Sequence, residues 1–232
     1  MKGNKLVAFL SNNLPESILI PLKKRYYYKW IQKIEKDSDI KIVEKFISKG
    51  DTVLVVGASY GKYTKYCSCF VGENGRVLSL EPVPETFEIL SSNVKKMNLE
   101  NVELFNYAIH TKIGKMKMKI PKFDWGAPRY YCASISDDGD VPMKTIKLDC
   151  LIGFIENLRF IKVDGAGTPL NFIESTKNIL NRFHPILLLE AEKEKDIKLF
   201  DELKKLGYEI FDGTEDNYFF AHKNDKVLNK WK

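Results

Sequence analysis

The sequence has few cysteines and no long apolar run. Its 232 residues include four cysteines, Cys67, Cys69, Cys132 and Cys150. This number is too low for a secreted disulfide scaffold, and the spacing, without paired histidines, does not match a zinc site. We therefore expect reduced thiols, no bound metal and a cytoplasmic protein. No apolar segment reaches the ~18 residues that a membrane span requires, so we expect none.

A strong charge excess, internal repeats and low-complexity tracts are also absent from the sequence. Lys and Arg number 37 against 31 Asp and Glu, which gives a net charge of +6. Because the two signs alternate along most of the chain, this excess permits contact with nucleic acid or an anionic substrate but does not require it. Hydrophobic residues make up 44% of the chain, which is enough for a globular core.

Residues 15–50 are predicted to be helical. The apolar positions with helical spacing in the first helix are Tyr27, Trp30, Ile31 and Ile34. A second helix follows, with Ser38 or Asp39 as its cap and Gly50 at its end. The sequence therefore predicts a helical N-terminal extension over residues 1–50 and a main domain over residues 51–232.

The first helix carries the basic and aromatic run 23–30, KKRYYYKW. Such a run could bind a nucleic-acid backbone and stack on bases. We favour the interpretation in which Tyr27 and Trp30 pack on the domain while the lysines are solvated. Association of this basic segment with a membrane surface remains open.

From Asp51 onwards, predicted strands alternate with helices. The strands are Thr52–Val56, Arg76–Leu80, Val102–Ala108, Leu158–Asp164 and Ile186–Glu190, and the helices span 60–70, 84–97, 170–181 and 196–206. Residues 115–120 alternate like an antiparallel strand, 121–144 are predicted to be loop, and 208–211 with 218–221 form a closing hairpin.

Strands that alternate with helices predict an α/β fold with parallel strands. Five such strands followed by a helix and a hairpin resemble the class I S-adenosylmethionine-dependent methyltransferases. The resemblance implies a Rossmann-like sheet of seven mostly parallel strands with an antiparallel last strand.

A glycine loop and an acid occur at the spacing of a nucleoside-binding site. The first strand leads into Gly57-Ala58-Ser59-Tyr60-Gly61, and Glu81 ends the second strand twenty residues after Gly61. Glycines let a ligand approach the backbone, and an acid at this position is placed to bind ribose hydroxyls. A dinucleotide site usually requires Gly-x-Gly-x-x-Gly, and Ser59 interrupts that pattern. The alternative to a nucleoside-binding site is an α/β domain in which these glycines only form a tight turn and bind no ligand.

Five ordered motifs resemble the FkbM-type methyltransferases, from about Asp51 to Glu190. They are Gly57-Ala58-Ser59-Tyr60-Gly61, Glu81-Pro82-Val83-Pro84, Thr145-Ile146-Lys147-Leu148-Asp149, Lys162-Val163-Asp164-Gly165-Ala166-Gly167 and Leu187-Leu188-Leu189-Glu190. The resemblance implies methyl transfer from S-adenosylmethionine to an oxygen of a small molecule or sugar. It also implies that Glu81 holds ribose, that Gly57 to Gly61 pass under the methionine part, that Asn106 to Ala108 flank the adenine, and that Pro82 is a further cofactor-binding residue.

The sequence departs from the family pattern at three acids, where Val55, Ala166 and Pro169 stand instead, and at Ser59, where the family has Asn. These departures leave open a non-catalytic relative that acts as a binding or scaffold protein. The basic run at 23–30 leaves open an RNA-directed methyltransferase.

The catalytic candidates follow the fourth strand of the main domain. Asp164 is placed to accept a proton from an acceptor hydroxyl, and Lys162 lies on the same face of the strand. The alternative is that the two residues form only a structural ion pair at the strand end. His110 is a second candidate base at the same sheet edge. The loop 121–138 is the expected binding element for an unidentified small-molecule acceptor, and its candidate residues are Phe123, Trp125, Arg129, Tyr130 and Tyr131. The alternative is that the aromatic side chains only pack the loop against the domain.

Overall fold

The computed structural model of the chain describes residues 14–124, 126–164, 169–191, 194–213 and 217–226. Some sequence predictions therefore lie outside the described residues. They concern Trp125 in the acceptor loop, Ala166 and its motif neighbours, the N-terminal residues 1–13 and the hairpin turn at 214–216.

A seven-stranded sheet forms the centre of the fold. Its strands are β1 (Thr52–Val56), β2 (Arg76–Leu80), β3 (Val102–Phe105), β8 (Leu158–Val163), β9 (Ile186–Glu190), β10 (Tyr208–Gly213) and β11 (Asn217–His222). Their order is β10-β11-β9-β8-β1-β2-β3, and β11 pairs antiparallel with both of its neighbours while the other pairs are parallel. The predicted sheet, including its antiparallel last strand, is confirmed.

Helices cover both faces of this sheet. They are α1 (Glu16–Lys33), α2 (Ser38–Val43), α3 (Lys62–Val71), α4 (Pro84–Lys96), α5 (Pro169–Phe183) and α6 (Ile197–Lys205). Successive side chains of β1 point to opposite faces. Leu54 and Val56 pack in the layer that includes α5 and α6, while Val53 and Val55 pack in the layer that includes α2, α3 and α4. Across the described ranges, none of the helices has the length and apolarity to cross a bilayer.

The region after β3 differs from the prediction. The third strand ends at Phe105, and Ala108–Ile109 forms β4 in a second, four-stranded sheet of order β4-β7-β5-β6. The other strands of this sheet are β5 (Gly114–Lys119), β6 (Ser134–Ile135) and β7 (Val141–Ile146). The prediction of loop over 121–144 is therefore wrong, because two strands and the 3-10 helix Tyr130–Cys132 lie wholly or partly in it.

The second N-terminal helix is shorter than predicted. It ends at Val43 rather than at Gly50, and Asp37, not Ser38 or Asp39, caps it by accepting the N–H of Ile40 at 2.9 Å. Asp37 lies one residue before the first predicted cap, and its carboxylate supplies the hydrogen-bond acceptor that the N-cap position requires.

Helix α1 packs along α4, and its lysines are not all solvated. Lys23 pairs with Glu85, and Lys24 Nζ lies 2.7 Å from Glu88 Oε1. The expectation that these lysines face solvent is therefore wrong, as is the expectation that Trp30 is packed, since its side chain is exposed. Because these two ion pairs are partly exposed, they add little to the free energy of unfolding. Their main effect is on the direction in which α1 packs against α4.

Candidate active site

A cavity of about 200 Å³ lies at the carboxyl ends of β1, β2 and β8. This edge is where open α/β sheets bind ligands. The predicted residues that line the cavity are Gly57, Ser59, Glu81, Pro82, Ala108 and Asp164. The fold thus brings together residues that are separated by more than a hundred positions in the chain.

Glu81 is buried at the end of β2 and connects two chain segments. Its Oε2 accepts the N–H of Ser59 at 2.8 Å, and its Oε1 accepts the N–H of Val83 at 3.0 Å. Burial raises the pKa of Glu81 to about 7; the two N–H donors oppose this rise and the charge of Asp164 adds to it. Glu81 therefore changes charge near neutral pH.

The glycine loop runs directly against the neighbouring strand ends. The N–H groups of Gly57 and Ala58 both donate to Leu80 O at 2.9 Å. Gly57 has φ +71°, and a Cβ there would lie 1.9 Å from the carbonyl oxygen of Asp164. Ser59 has φ +50°, a left-handed conformation that aims its N–H at Glu81. The loop therefore accepts only glycine at its first position.

Asp164 and Lys162 have different surroundings. The Asp164 N–H extends the β1–β8 ladder by donating to Val56 O at 2.9 Å, and its side chain lines the cavity. Lys162 is buried outside the cavity lining, and its Nζ donates to Asn217 Oδ1 at 3.0 Å and lies 3.9 Å from Asp164 Oδ2. Burial lowers the pKa of Lys162, and Asp164 opposes this change. Lys162 is placed to position Asp164 rather than to touch a ligand.

Four other predicted cofactor residues support the cavity from behind. Ala58 is buried in the core, Gly61 precedes α3 with φ +100°, and Tyr60 stacks on Tyr27 of α1 with ring centroids 3.6 Å apart. Asn106 donates from Nδ2 to the carbonyl oxygens of Glu81 at 2.8 Å and Pro82 at 3.2 Å. None of these four residues belongs to the cavity lining in the described part of the chain.

The acceptor loop contributes tyrosines to the cavity. Tyr130 and Tyr131 line it, and the Tyr130 hydroxyl donates to Glu85, which also pairs with Lys23 of α1. Arg129 lies 5.2 Å from the ring of Phe123 instead of lining the cavity. His110 also lies outside the lining, and its Nδ1 accepts the N–H of Lys112 at 2.9 Å.

Thr86 is a lining residue that the sequence motifs do not reveal. It lies in the first turn of α4, is buried, and its hydroxyl has no hydrogen-bond partner among the described residues. A buried hydroxyl without a partner costs free energy, and Thr86 is the residue of the cavity lining at which this cost arises. No residue spacing in the sequence signals it, because the contact depends on how α4 meets the second sheet.

The cavity has one polar and one apolar side. Glu81, Asp164 and Ser59 supply the polar groups, whereas the apolar groups come largely from the second sheet and the start of α4. The apolar lining residues include Val83, Ala108, Ile109, Met118, Ile135 and Phe172. Such a lining suits a ligand that combines a flat ring with hydroxyl groups.

Val55 occupies the position where the resemblance implies an acid. It is buried in the core and lies beside Lys162 in the β1–β8 register. The site therefore lacks a carboxylate from β1 at this point, and the carboxylates next to the loop are those of Glu81 and Asp164.

Residues 56–210, more than half of the chain, match the family model described as "Methyltransferase FkbM domain". Among curated proteins, a protein-L-isoaspartate O-methyltransferase of Methanococcus aeolicus is 34% identical over 58 residues, 25% of this chain and 27% of that protein. The protein of the same name from Methanococcus maripaludis matches to the same extent. The chain thus spans about a quarter of the length of these curated relatives.

Solved structures share the fold. Methyltransferase FkbM from Methylobacillus flagellatus is 12% identical with a TM-score of 0.53, covering 86% of this chain and 59% of that chain. Fibrillarin of Aeropyrum pernix, solved with natively bound S-adenosyl-L-methionine, is 14% identical with a TM-score of 0.52, covering 79% of this chain and 73% of that chain. At these identities the likeness concerns the fold alone.

The contact between Gly57 and Asp164 gives a test of the loop geometry. Gly50 and Gly57 both have positive φ, but a Cβ on Gly50 meets nothing within 4 Å. Gly50→Ala is expected to lower the free energy of unfolding by about 1–2 kcal/mol, the cost of a left-handed backbone. Gly57→Ala adds a backbone clash and is expected to cost about 3–5 kcal/mol in total. Denaturant unfolding measures both, and equal losses would contradict the close approach.

Proposed function

The chain belongs to the FkbM methyltransferase family, and on that premise we propose that it is an S-adenosylmethionine-dependent methyltransferase that methylates an oxygen of a small molecule or sugar. The observation that carries the proposal is Glu81, a buried acid at the end of β2 that holds the glycine loop through Ser59 and faces the cavity. This is the arrangement in which an acid binds ribose hydroxyls.

The residues present fit this cofactor. Each Glu81 oxygen accepts one N–H and retains acceptor capacity for a ribose hydroxyl. Gly57 leaves the loop without a side chain where it faces the cavity, and Thr86 offers an unpartnered hydroxyl. Ala108 and Val83 supply apolar lining of the kind that a purine ring would contact. Bound there, S-adenosylmethionine supplies a methyl group activated by a positively charged sulfur.

The chain's own chemical contribution is orientation and removal of one proton. Asp164 lines the cavity, so a hydroxyl acceptor would transfer its proton to a carboxylate oxygen of this residue. Lys162 acts as a positioning residue, since it lies behind Asp164 and outside the cavity. Because the methyl donor is already reactive, the alignment of the acceptor oxygen accounts for most of the rate.

The acceptor is proposed to lie against the tyrosines at the cavity wall. Tyr130 and Tyr131 offer flat surfaces, and the bond from Tyr130 to Glu85 restricts the movement of the first ring. Flat side chains beside a polar end suit a ring-shaped acceptor with hydroxyl groups, such as a sugar.

The affinity for S-adenosylhomocysteine, the reaction product, is expected to depend on pH through Glu81. Ribose hydroxyls donate to the ionised carboxylate, and the pKa of Glu81 is about 7. The association constant should therefore rise about tenfold per pH unit below 7 and level off above it. Glu81→Gln should weaken binding about 10- to 100-fold and abolish this pH dependence. Calorimetric titrations from about pH 6 to about pH 8 measure both effects.

Asp149→Asn provides a matched control for this experiment. Asp149 also accepts two backbone N–H groups, from Asn178 at 3.1 Å and Ile179 at 2.9 Å, but lies outside the cavity lining. Its replacement should leave the pH dependence of binding intact. If the folded wild-type protein binds no S-adenosylhomocysteine at millimolar concentration, the proposed function is wrong and a non-catalytic relative is the better interpretation.

Thr86→Val is expected to change stability and affinity in opposite directions. Removing a buried hydroxyl that lacks a partner should raise the free energy of unfolding by about 1 kcal/mol. Loss of its hydrogen bond to the ligand should lower the affinity for S-adenosylhomocysteine about fivefold. Thermal unfolding and calorimetry measure the two effects on the same sample.

Tyr208→Phe is the control for Thr86→Val. The Tyr208 hydroxyl is likewise buried without a hydrogen-bond partner in the described ranges, but it lies away from this cavity. Its removal should stabilise the protein and leave the affinity unchanged. If Thr86→Val also stabilises without weakening binding, the Thr86 hydroxyl does not contact the ligand.

A further inference from the structure

Helix α1 carries an apolar stripe on its outer side. The exposed fraction is 49% for Ile18, 47% for Leu22, 62% for Tyr26 and 39% for Trp30. A spacing of four residues places each of these side chains next to the previous one along the helix. These four large apolar side chains therefore form one continuous exposed band. Single exposed apolar side chains are common on protein surfaces, but a continuous band of them is not.

The opposite side of α1 is fixed to the domain. Lys24 pairs with Glu88, Tyr27 stacks on Tyr60, and Lys65 Nζ donates to Ile31 O at 2.8 Å. At the end of the helix, the Tyr66 hydroxyl donates to Ile34 O at 2.6 Å. Because these contacts hold one side of the helix, the apolar stripe cannot turn inward without breaking them.

Three cations flank the stripe. Arg25, Lys29 and Lys33 are exposed and form no ion pair with another described residue. At 100° per residue, Arg25 and Lys29 lie within about 20° of Ile18 around the helix axis, and Lys33 lies between Leu22 and Tyr26. The one acid of α1 is Glu16, in its first turn. The cations and the apolar groups thus share one face.

We propose that this face docks the protein onto an anionic lipid bilayer. We name it the α1 outer face; it consists of Ile18, Leu22, Arg25, Tyr26, Lys29, Trp30 and Lys33. Aliphatic side chains would enter the boundary between headgroups and acyl chains, aromatic rings would lie at the headgroup level, and the cations would contact anionic headgroups. The helix would lie in the plane of the interface and would not cross it.

The side chains on the α1 outer face favour lipid over nucleic acid. Ile18 and Leu22 contribute nothing to binding a phosphate backbone, which relies on cations and stacking rings. Two cations of the basic run, Lys23 and Lys24, are engaged by Glu85 and Glu88 and are not available for phosphates. Hydrocarbon insertion, in contrast, uses the aliphatic and the aromatic residues together.

Vesicle sedimentation with the full chain tests the proposal. The protein is expected to bind vesicles of phosphatidylcholine and phosphatidylserine, and to bind pure phosphatidylcholine at least tenfold more weakly. Leu22→Asp and Trp30→Asp should each weaken binding about tenfold or more, because they place a charge in the interface. Replacing Arg25, Lys29 and Lys33 together by Ala should weaken it about a hundredfold at low salt. Circular dichroism and thermal unfolding verify that each variant folds.

Two matched controls distinguish the α1 outer face from other surfaces. Phe154→Asp places the same charge on an apolar side chain that is more exposed but lies outside α1. Replacing Lys115, Lys117 and Lys119 of β5 by Ala removes three exposed cations elsewhere. Both controls should leave vesicle binding unchanged. If the β5 variant loses binding while the α1 variant keeps it, the lipid surface is elsewhere and the proposal is wrong.

Other outcomes also overturn the proposal. These are no binding to anionic vesicles, binding that is insensitive to Leu22→Asp and Trp30→Asp, or salt-dependent binding to RNA without binding to vesicles. A dimer that Leu22→Asp dissociates, with no vesicle binding, would assign the stripe to a second copy of the chain. Because these measurements require neither cofactor nor turnover, their failure is distinct from failure of the proposed methyl transfer.

Discussion

The site depends on one buried carboxylate. Glu81 accepts the N–H groups of Ser59 and Val83, and so links the loop after β1 to the start of α4. The neighbouring backbone strengthens this link, since Leu80 O accepts two loop N–H groups and Asn106 binds the carbonyl of Glu81 itself. A buried charge is costly unless it is hydrogen-bonded, and here burial brings its pKa close to neutrality. The hydrogen bonds that shape the cavity thus surround a carboxyl group whose pKa of about 7 makes its charge sensitive to pH near neutrality.

The N-terminal helix α1 is connected to the same site, although it precedes β1 in sequence. Tyr27 stacks on Tyr60 of the glycine loop, and Lys23 pairs with Glu85, which holds Tyr130 at the cavity wall. One side of α1 therefore stabilises the walls of the cavity, while its other side remains exposed. This division explains why the run 23–30 contains two kinds of cation. Lys23 and Lys24 pair with acids of α4, whereas Arg25 and Lys29 form no ion pair with another described residue. Whatever the outer face binds is held at a fixed orientation relative to the cavity.

The sequence predicts the parts of the fold that depend on local pattern. Continuous β-branched runs identify β1, and the spacing from the glycine loop locates Glu81, because both follow from backbone geometry. The second sheet is missed where local signals conflict with tertiary contacts. Proline disfavours a strand, yet Pro142 lies within β7. The sequence predicts a third strand that continues to Ala108, but the side chain of Asn106 binds the carbonyl oxygens of Glu81 and Pro82 at the end of β2, where the chain leaves the first sheet. Lys162 is predicted on the correct strand, but alternation does not reveal that its amine is bound by Asn217. No sequence pattern identifies Thr86 as a residue of the cavity lining.

The most direct measurement is the titration of the Glu81 carboxyl by ¹³C NMR, assigned by comparison with Glu81→Gln, with and without S-adenosylhomocysteine. We expect a Glu81 pKa of about 7 in the free protein, well above the ordinary value of 4.5. We also expect a clear decrease in this pKa when ligand binds, because ribose hydroxyls stabilise the ionised form. A Glu81 pKa near the ordinary value that does not move with ligand would contradict the account, since Glu81 would then be neither buried nor part of the binding site.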